Sequence, residues 1–478
     1  MEYKWVALTV TTVGTFMSGL NNSIVTIGLP TVLQDLNTTM VNGVWIITGY
    51  RLMMTILLVV LGRIADMYGR VRLYNIGFVI FTVGSLICSF SASGEQLVLF
   101  RLFQGVGGAL LIANSAAIIT DAFPRNQLGT GLGINMMAVN IASALGYTVS
   151  GVMIQLFGWR SLFLINVPVG IFGTVWAYKR LKEISRRKTE EKFDFTGASL
   201  YCTGLAIVLY SLTFGNLLSM QNLLLLTAGL SLFPILILVE RRVKFPTIDL
   251  TLFKIRAFAA GNVTSFLNTL AFNCVPFLIS LYLQLVLGYD PVLAGLLLIP
   301  MSLVVLVMSP ITGMLSDRLG SRGISSAGLA VNAVSLAWFS ALNINSTYYS
   351  IIISLVLFGI GRGLFSSPNV SAIMGSVPAS RRGVANGVRS ALVQTGNVLS
   401  IPLAMIFMST VISYDKLSTL VSSSQLTSSG ELLIFQAALS RTFLILSIIM
   451  VVALIPSLLR GKRTEQESTA EQTDRKTH

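Results

Sequence analysis

Three arginines stand inside long apolar runs of this chain: Arg51 in WIITGYRLMMTILL, Arg101 in LVLFRLFQGVGGALL and Arg362 in LVLFGIGRGLFSS. A guanidinium in such surroundings is costly, and its donors make it a binding or relay group before a packing group. Arg51, directly after Tyr50, and Arg362 point toward an anionic or strongly polar ligand, or else line an aqueous vestibule. Asn21, Asn22, Asn140, Asn273 and Gln394, in other apolar runs, offer amides that both donate and accept. With Tyr50, Arg51 and Arg362 they form the candidate substrate contacts. Arg101 is a functional residue by its cost at that depth, with hydrogen bonds to carbonyls in a purely packing role as the alternative. Catalysis has little to work with. The only histidine is His478, the last residue, so no histidine triad, zinc site or haem ligand can be built in the body of the chain. Cys88, Cys202 and Cys274 are far apart inside apolar runs, as buried thiols are, and show no metal or disulfide spacing. No lysine or acidic residue lies deep in a run. The reading is no enzyme, no cofactor and no metal.

The elements that must hold these residues are membrane helices. The chain has 478 residues, 54% hydrophobic and 11% charged, with a mean hydropathy of +0.78. Runs of about 20 apolar residues recur, each enough to cross ~30 Å of hydrocarbon. Backbone amides in lipid must be satisfied within their own segment, so the fold class is an all-α membrane protein. Six spans are expected near residues 5–29, 42–61, 73–92, 97–119, 130–154 and 161–180. Two follow the basic stretch KRLKEISRRKTEEK, near 195–215 and 221–239. Six more lie near 258–284, 291–315, 324–342, 349–374, 384–412 and 436–459. About fourteen helices result, and the polar tail after Arg460 is expected to be disordered.

Lysine and arginine placement orients the array. Of the 33 such residues, all but six fall on the side of the even-numbered loops and both tails. Arg160, Lys416 and Arg441 fall on the other side, and Arg51, Arg101 and Arg362 within spans. This asymmetry puts both termini in the cytoplasm of a plasma-membrane protein. The net charge of +14 then belongs to loops beside the lipid surface and not to nucleic-acid binding.

Two landmarks repeat about 250 residues apart. GRIADMYGRVR at 62–72 is echoed by GMLSDRLGSR at 313–322, and Pro124, Gly129 and Gly133 by Pro378, Gly383 and Gly387. Recurrence eight spans on implies two six-helix halves with two helices inserted between them, and parallel six-helix halves are the build of major facilitator transporters. The divisions read from this are an N-terminal bundle at 1–194, inserted helices at 195–240, a C-terminal bundle at 241–460 and a tail at 461–478.

The chain resembles the fourteen-helix drug:proton antiporters of the major facilitator superfamily, the EmrB/QacA type. Gly62, Asp66, Gly69 and Arg70 match the motif G-x-L-x-D-x-x-G-R-[KR], with Arg72 supplying a basic residue one place late, and Asp317 and Arg318 lie in a degenerate second copy. The resemblance implies gating residues: a tight cytoplasmic turn whose carboxylate caps a helix or pairs with arginines. Ordinary topogenic charge is the alternative. Arg101, Gln104 and Gly105 are similar to the R-x-x-x-G helix-four signature, in which a buried arginine tunes proton binding. ALGYTVSGVMIQLFGWRSLFLINVPVG resembles the antiporter motif through Gly146 and Gly151, although Tyr147 replaces its usual proline, and a glycine face sealing the inner gate is expected. SGLNNSIVTIGLP is similar to L-D-x-[ST]-I-V-N-V-A-L-P with Asn21 in place of aspartate. Asparagine neither ionises nor neutralises a cation, which weakens the rationale for proton-coupled cation export.

The function expected is export of small organic molecules by alternating access, with a proton or other ion countertransported, by a protein acting as a monomer in the bilayer. Uptake or facilitated movement of an organic anion is the second reading, and a non-transporting scaffold the third. The duplicated turns and intramembrane arginines disfavour the scaffold.

Overall fold

The computed structural model describes residues 2–124, 127–184, 195–213, 219–240, 250–378, 381–422 and 429–460. The tail at 461–478 and the side chains of Asp66 and Asp317 lie outside the described residues, as does Gly62 beyond its place in a helix. The chain runs as α1 (Tyr3–Asp35), α2 (Met40–Tyr68), α3 (Arg70–Ser89), α4 (Gly94–Ala122), α5 (Leu128–Phe157) and α6 (Ser161–Arg180), then the pair α7 (Phe195–Thr213) and α8 (Met220–Glu240). It continues as α9 (Arg256–Val286), α10 (Pro291–Ser316), α11 (Ser321–Ser340), α12 (Tyr348–Gly375), α13 (Arg382–Ser409), the short α14 (Tyr414–Ser422) and α15 (Ser429–Leu458).

Among the described residues, 13 helices are long and apolar enough to cross a membrane. The long helix outside that set is α1, whose Thr11, Thr15, Ser18, Asn21, Ser23 and Thr26 lower its hydropathy and are all buried. Its polar side chains face protein and not lipid, where hydrogen bonds are available to them. Fourteen spans are therefore not reached on apolarity alone.

The helix pairings are themselves repeated. In the first six helices α1 packs on α5, α4 and α6, and α3 and α4 pair, as do α2 with α4 and α3 with α6. In the later set α9 takes the place of α1, packing on α13, α12 and α15, while α11 pairs with α12, α10 with α12 and α11 with α15. The two sets meet reciprocally, α5 against α10 and α2 against α13. The helices α7 and α8 lie against that second seam. Leu52 of α2, Val398 of α13 and Tyr201, Leu205, Leu209 and Leu236 of the pair form one buried cluster. Tyr201 Oη lies 2.8 Å from Thr395 Oγ1, and Cys202 Sγ donates to the Ile56 carbonyl.

The duplicated turns have a backbone cause. Gly69 between α2 and α3 sits at φ 107° and Gly320 between α10 and α11 at φ 85°. A side chain is strained in that region, so glycine lets each helix stop and the next begin at once.

At the opposite end of the bundle, Asp35 at the close of α1 accepts from Trp159 Nε1 at 2.6 Å and from Arg160 at 2.7 Å. These bonds hold its carboxyl below the usual carboxylate range. A depressed carboxylate stabilises the fold above its ordinary pKa, and that contribution is lost as pH falls through the depressed value. Acidification below about pH 4 is expected to release Trp159, seen as a fluorescence change in the native protein that Asp35→Asn already shows at neutral pH. Identical pH profiles for the two proteins would disprove the latch.

Candidate functional site

Arg101 is the centre of a buried polar network and is 1% exposed. Its Nε donates to the Ile46 carbonyl on α2 at 2.9 Å, and its Nη1 to Asn21 Oδ1 on α1 at 3.1 Å and to Gln104 Oε1 at 2.5 Å. Gln104 Nε2 in turn donates to Ser85 on α3 at 2.6 Å. The guanidinium lies 4.4 Å from the centre of the Tyr50 ring and 5.7 Å from that of Phe163, both cation–π distances. Glycine makes the approach possible, because a Cβ at Gly105 would lie 2.8 Å from the Tyr50 carbonyl and one at Gly108 2.5 Å from its hydroxyl. A buried cation is thus held by carbonyl, amide and ring dipoles, without a carboxylate partner among the described residues.

Two of the expected substrate contacts move as a result. Asn21 and Tyr50 are both fully buried and belong to the Arg101 network, so neither offers its side chain to the cavity. Sequence spacing could not show this, since Asn21 and Arg101 are 80 residues apart.

The remaining candidates divide between the two helix sets. Arg51, half-buried on α2, donates through Nη2 to the Asn22 carbonyl at 3.2 Å, while its Nη1 and the Asn22 Oδ1 have no partner. Asn140 is exposed and lies seven residues before Tyr147, hence on the same face of α5. On the other side Arg362 donates to Asn268 Oδ1 at 2.5 Å and sits 4.3 Å from the Phe272 ring, which stacks on Phe358 at 4.7 Å. Asn273 donates to Asn397 at 2.7 Å, and Asn397 to Gln394 at 2.6 Å, so two expected contacts are joined through a residue not singled out beforehand. Arg460, 5% exposed, was also missed; it donates to Asn369 on α12. Its place at the edge of the charged tail hid it.

The turn at 62–72 is held by acids from elsewhere. Arg70 pairs with Asp121 at 2.7 Å, at the end of α4. Glu183, beyond α6, accepts from the backbone N–H of Arg70 at 3.1 Å and of Val71 at 2.9 Å, capping α3. That is the capping role foreseen for Asp66. Arg72 and Arg318 are exposed.

The two glycines meet different neighbours. Gly146 packs on α1, where its Cβ would lie 2.8 Å from Ser23 Cβ. Gly151 instead faces α10, where a Cβ would lie 2.7 Å from Val292 Cα and against the Pro291 backbone, and Gly295 of α10 answers it against Tyr147 and Thr148. Gln284 also crosses here, to the Ile27 carbonyl at 3.1 Å. This seam seals the Asp35 end of the bundle, opposite to the Gly69 turn that the resemblance places at the cytoplasmic gate. Toward the Gly69 end a Cβ at Gly129 or Gly133 of α5, or at Gly387 of α13, would meet nothing within 4 Å, and Met136 and Met137 of α5 are 65% and 51% exposed.

Two equivalent helix sets that meet across a close seam at the Asp35 end, with buried polar residues facing one another, suit a molecule that passes between them. The comparisons agree. The chain matches the model of the Major Facilitator Superfamily over residues 11–253 and 262–477. It is 34% identical to the riboflavin transporter RibZ of Clostridioides difficile, over 80% of this chain and 83% of that protein. It is 29% identical to the tetracenomycin C resistance and export protein of Streptomyces glaucescens, over 83% of this chain and 74% of that one. Its fold is similar to that of a bacterial homologue of the human lysosomal transporter Spinster, with a TM-score of 0.70 at 15% identity, covering 96% of this chain and 97% of the other. The pairing of its helices, its duplicated turns and these relatives lead to one conclusion: this chain is a multi-pass membrane transporter that belongs to the Major Facilitator Superfamily.

Proposed function

We propose that the protein exports a polar, neutral or anionic small organic molecule by alternating access, as a fourteen-helix member of the drug-antiporter branch. In this reading α1 crosses the membrane first, residues 1–194 and 241–460 are the two rocking bundles, and residues 195–240 are the inserted pair. It acts as a monomer in the plasma membrane with both termini in the cytoplasm, so the sealed Asp35 end faces outward and the cavity opens inward.

The observation that carries the substrate class is the Arg51 guanidinium, whose buried Nη1 lacks a partner beside an equally unpartnered Asn22 Oδ1. Those groups await an acceptor and a donor, and a cation there would meet uncompensated positive charge. Likeness to a riboflavin transporter supports a polar substrate over a lipophilic cation, and likeness to a resistance and export protein supports the direction. Uptake of an organic anion is the second reading, favoured by Arg51 and Arg362, which have no carboxylate partner among the described residues. Ion coupling, with a proton as the resemblance implies, requires a titrating group other than residue 21. Arg70, Asp121 and Glu183 serve the inner gate in either direction.

Thermal stabilisation of the purified protein tests this, because a ligand raises stability only through preference for the folded state. Riboflavin and a panel of aromatic carboxylates should include a stabilising compound, and tetraphenylphosphonium should not stabilise. Arg51→Gln should weaken the best compound by about 10-fold or more, the size of one lost charge-assisted hydrogen bond. Tight tetraphenylphosphonium binding that is indifferent to Arg51→Gln and Arg362→Gln would refute the substrate class.

A further inference from the structure

Away from the cavity, α3 and α6 leave a groove of about 470 Å³ on the outer face of the bundle, lined by Asn75, Ile76, Val79, Thr174, Val175, Tyr178 and Lys179. We propose that this groove binds one anionic phospholipid, with an acyl chain along the apolar floor and the headgroup at the Lys179 end.

Three observations support that occupant over others. The first is polarity along the groove. Helix α3 begins where α6 ends, so Arg72 in the first turn of α3 and Lys179 in the last turn of α6 share one level. Both are exposed, and Arg72 stands four residues before Ile76, on the same face. Glu183, the acidic residue nearest in sequence to this rim, has both carboxylate oxygens engaged by the α3 backbone. With Arg72, Lys179 and Arg180 against the one carboxylate of Glu183, which is turned to the α3 backbone, the mouth carries net positive charge among the described residues while the floor is apolar, the distribution that fits an anionic headgroup joined to a hydrocarbon chain. The second is Tyr178, 80% exposed at the mouth, where an aromatic ring with a hydroxyl suits the boundary between headgroup and hydrocarbon. The third is Asn75, whose Oδ1 is buried and without a partner. An unpartnered amide acceptor buried in the groove wall is one that a side-chain rotation presents to a headgroup hydroxyl, as in phosphatidylglycerol.

Substitutions here avoid the transport cavity, so the test is independent of the proposed substrate. The protein is purified from membranes containing phosphatidylglycerol and phosphatidylcholine, and retained lipid is measured by native mass spectrometry and thermal stability in mixed micelles. The native protein should retain one phosphatidylglycerol and be stabilised by it over phosphatidylcholine. Lys179→Gln should lower retention about 5-fold, a single near-surface charge contributing about 1 kcal/mol. Val175→Trp, which fills the groove, should abolish retention. If the tryptophan variant does not fold, Lys179→Gln decides alone. Equal retention by native and variant proteins overturns the proposal. So does stabilisation by glycerol 3-phosphate alone, which would make the apolar floor irrelevant. A change from dimer to monomer in Val175→Trp without change in bound lipid would overturn it in favour of a second copy of the chain as occupant.

Discussion

Arg101→Gln is expected to lower transport by roughly 100-fold, about 2.7 kcal/mol, in a protein that still folds. The guanidinium ties α1, α2 and α4 together through Asn21, Ile46 and Gln104. Its removal leaves buried acceptors unsatisfied, each at a cost of about 1–3 kcal/mol. Removal also ends the burial of a cation that no carboxylate among the described residues neutralises, which acts in the opposite direction. The two largely cancel in stability, whereas rigid coupling of three helices that must move as one body is lost outright. Asn21→Asp should do the reverse to stability. It places a carboxylate about 3 Å from the guanidinium, a charge-assisted pair, and raises the melting temperature. The resemblance alone suggests that this change would restore cation transport. Because residue 21 is buried against Arg101, the new charge is neutralised where it stands, and tetraphenylphosphonium transport should not appear. Proteoliposome transport and melting temperature measured for both variants decide this. Arg101→Gln retaining transport within about threefold of native, or Asn21→Asp melting lower than native, would refute the role given to the network.

The second large effect is expected at the seam that seals the Asp35 end. Gly151→Ala introduces a methyl group against the Pro291 backbone, 2.7 Å from Val292 Cα. Neither atom is the end of a flexible side chain, so relief requires α5 and α10 to separate. Overpacking of this kind costs about 1–3 kcal/mol. The clash exists only when this end is closed, so the equilibrium between access states shifts by about 5–150-fold toward the form open at this end. Transport should fall by a similar factor, since a cycle needs both states. A spin-label or fluorophore pair across α5 and α10 near this seam should report a longer mean distance in Gly151→Ala. Gly146→Ala, inside one helix set, should lower stability without moving that distance. An unchanged distance in Gly151→Ala would remove the seam from the mechanism.

Much of this molecule is legible in one dimension. Apolar run length and composition are local quantities, and they predict every membrane-length helix from α2 onward in its place, though not the short polar α14, with α1 marked by the same run despite its polar content. Gly69 and Gly320 are visible as well, because a helix that ends and restarts within one residue demands the left-handed backbone glycine tolerates. Arg101 declares itself by cost, since an arginine at that depth has no cheap bland role.

Only the tertiary structure decides which polar residues meet. A helix surrounded by lipid on one side and apolar neighbours on the other is apolar nearly all round, so sequence periodicity barely marks which face turns inward. Asn21 and Tyr50 therefore read as cavity contacts, like Asn22 and Arg51 beside them, although one residue of rotation, about 100°, puts the first pair behind the wall and the second at it. The acids that hold the Gly69 turn, Asp121 and Glu183, lie 51 and 113 residues from Arg70, and nothing local links them to it. Gly151 meets α10 while Gly146 meets α1, which the sequence does not separate, because a glycine face shows that a helix is closely approached, and not by which neighbour. Helix rotation and helix partner are global properties of the packed bundle, fixed when small residues let backbones approach and buried donors find acceptors, and these set the chemistry of the site.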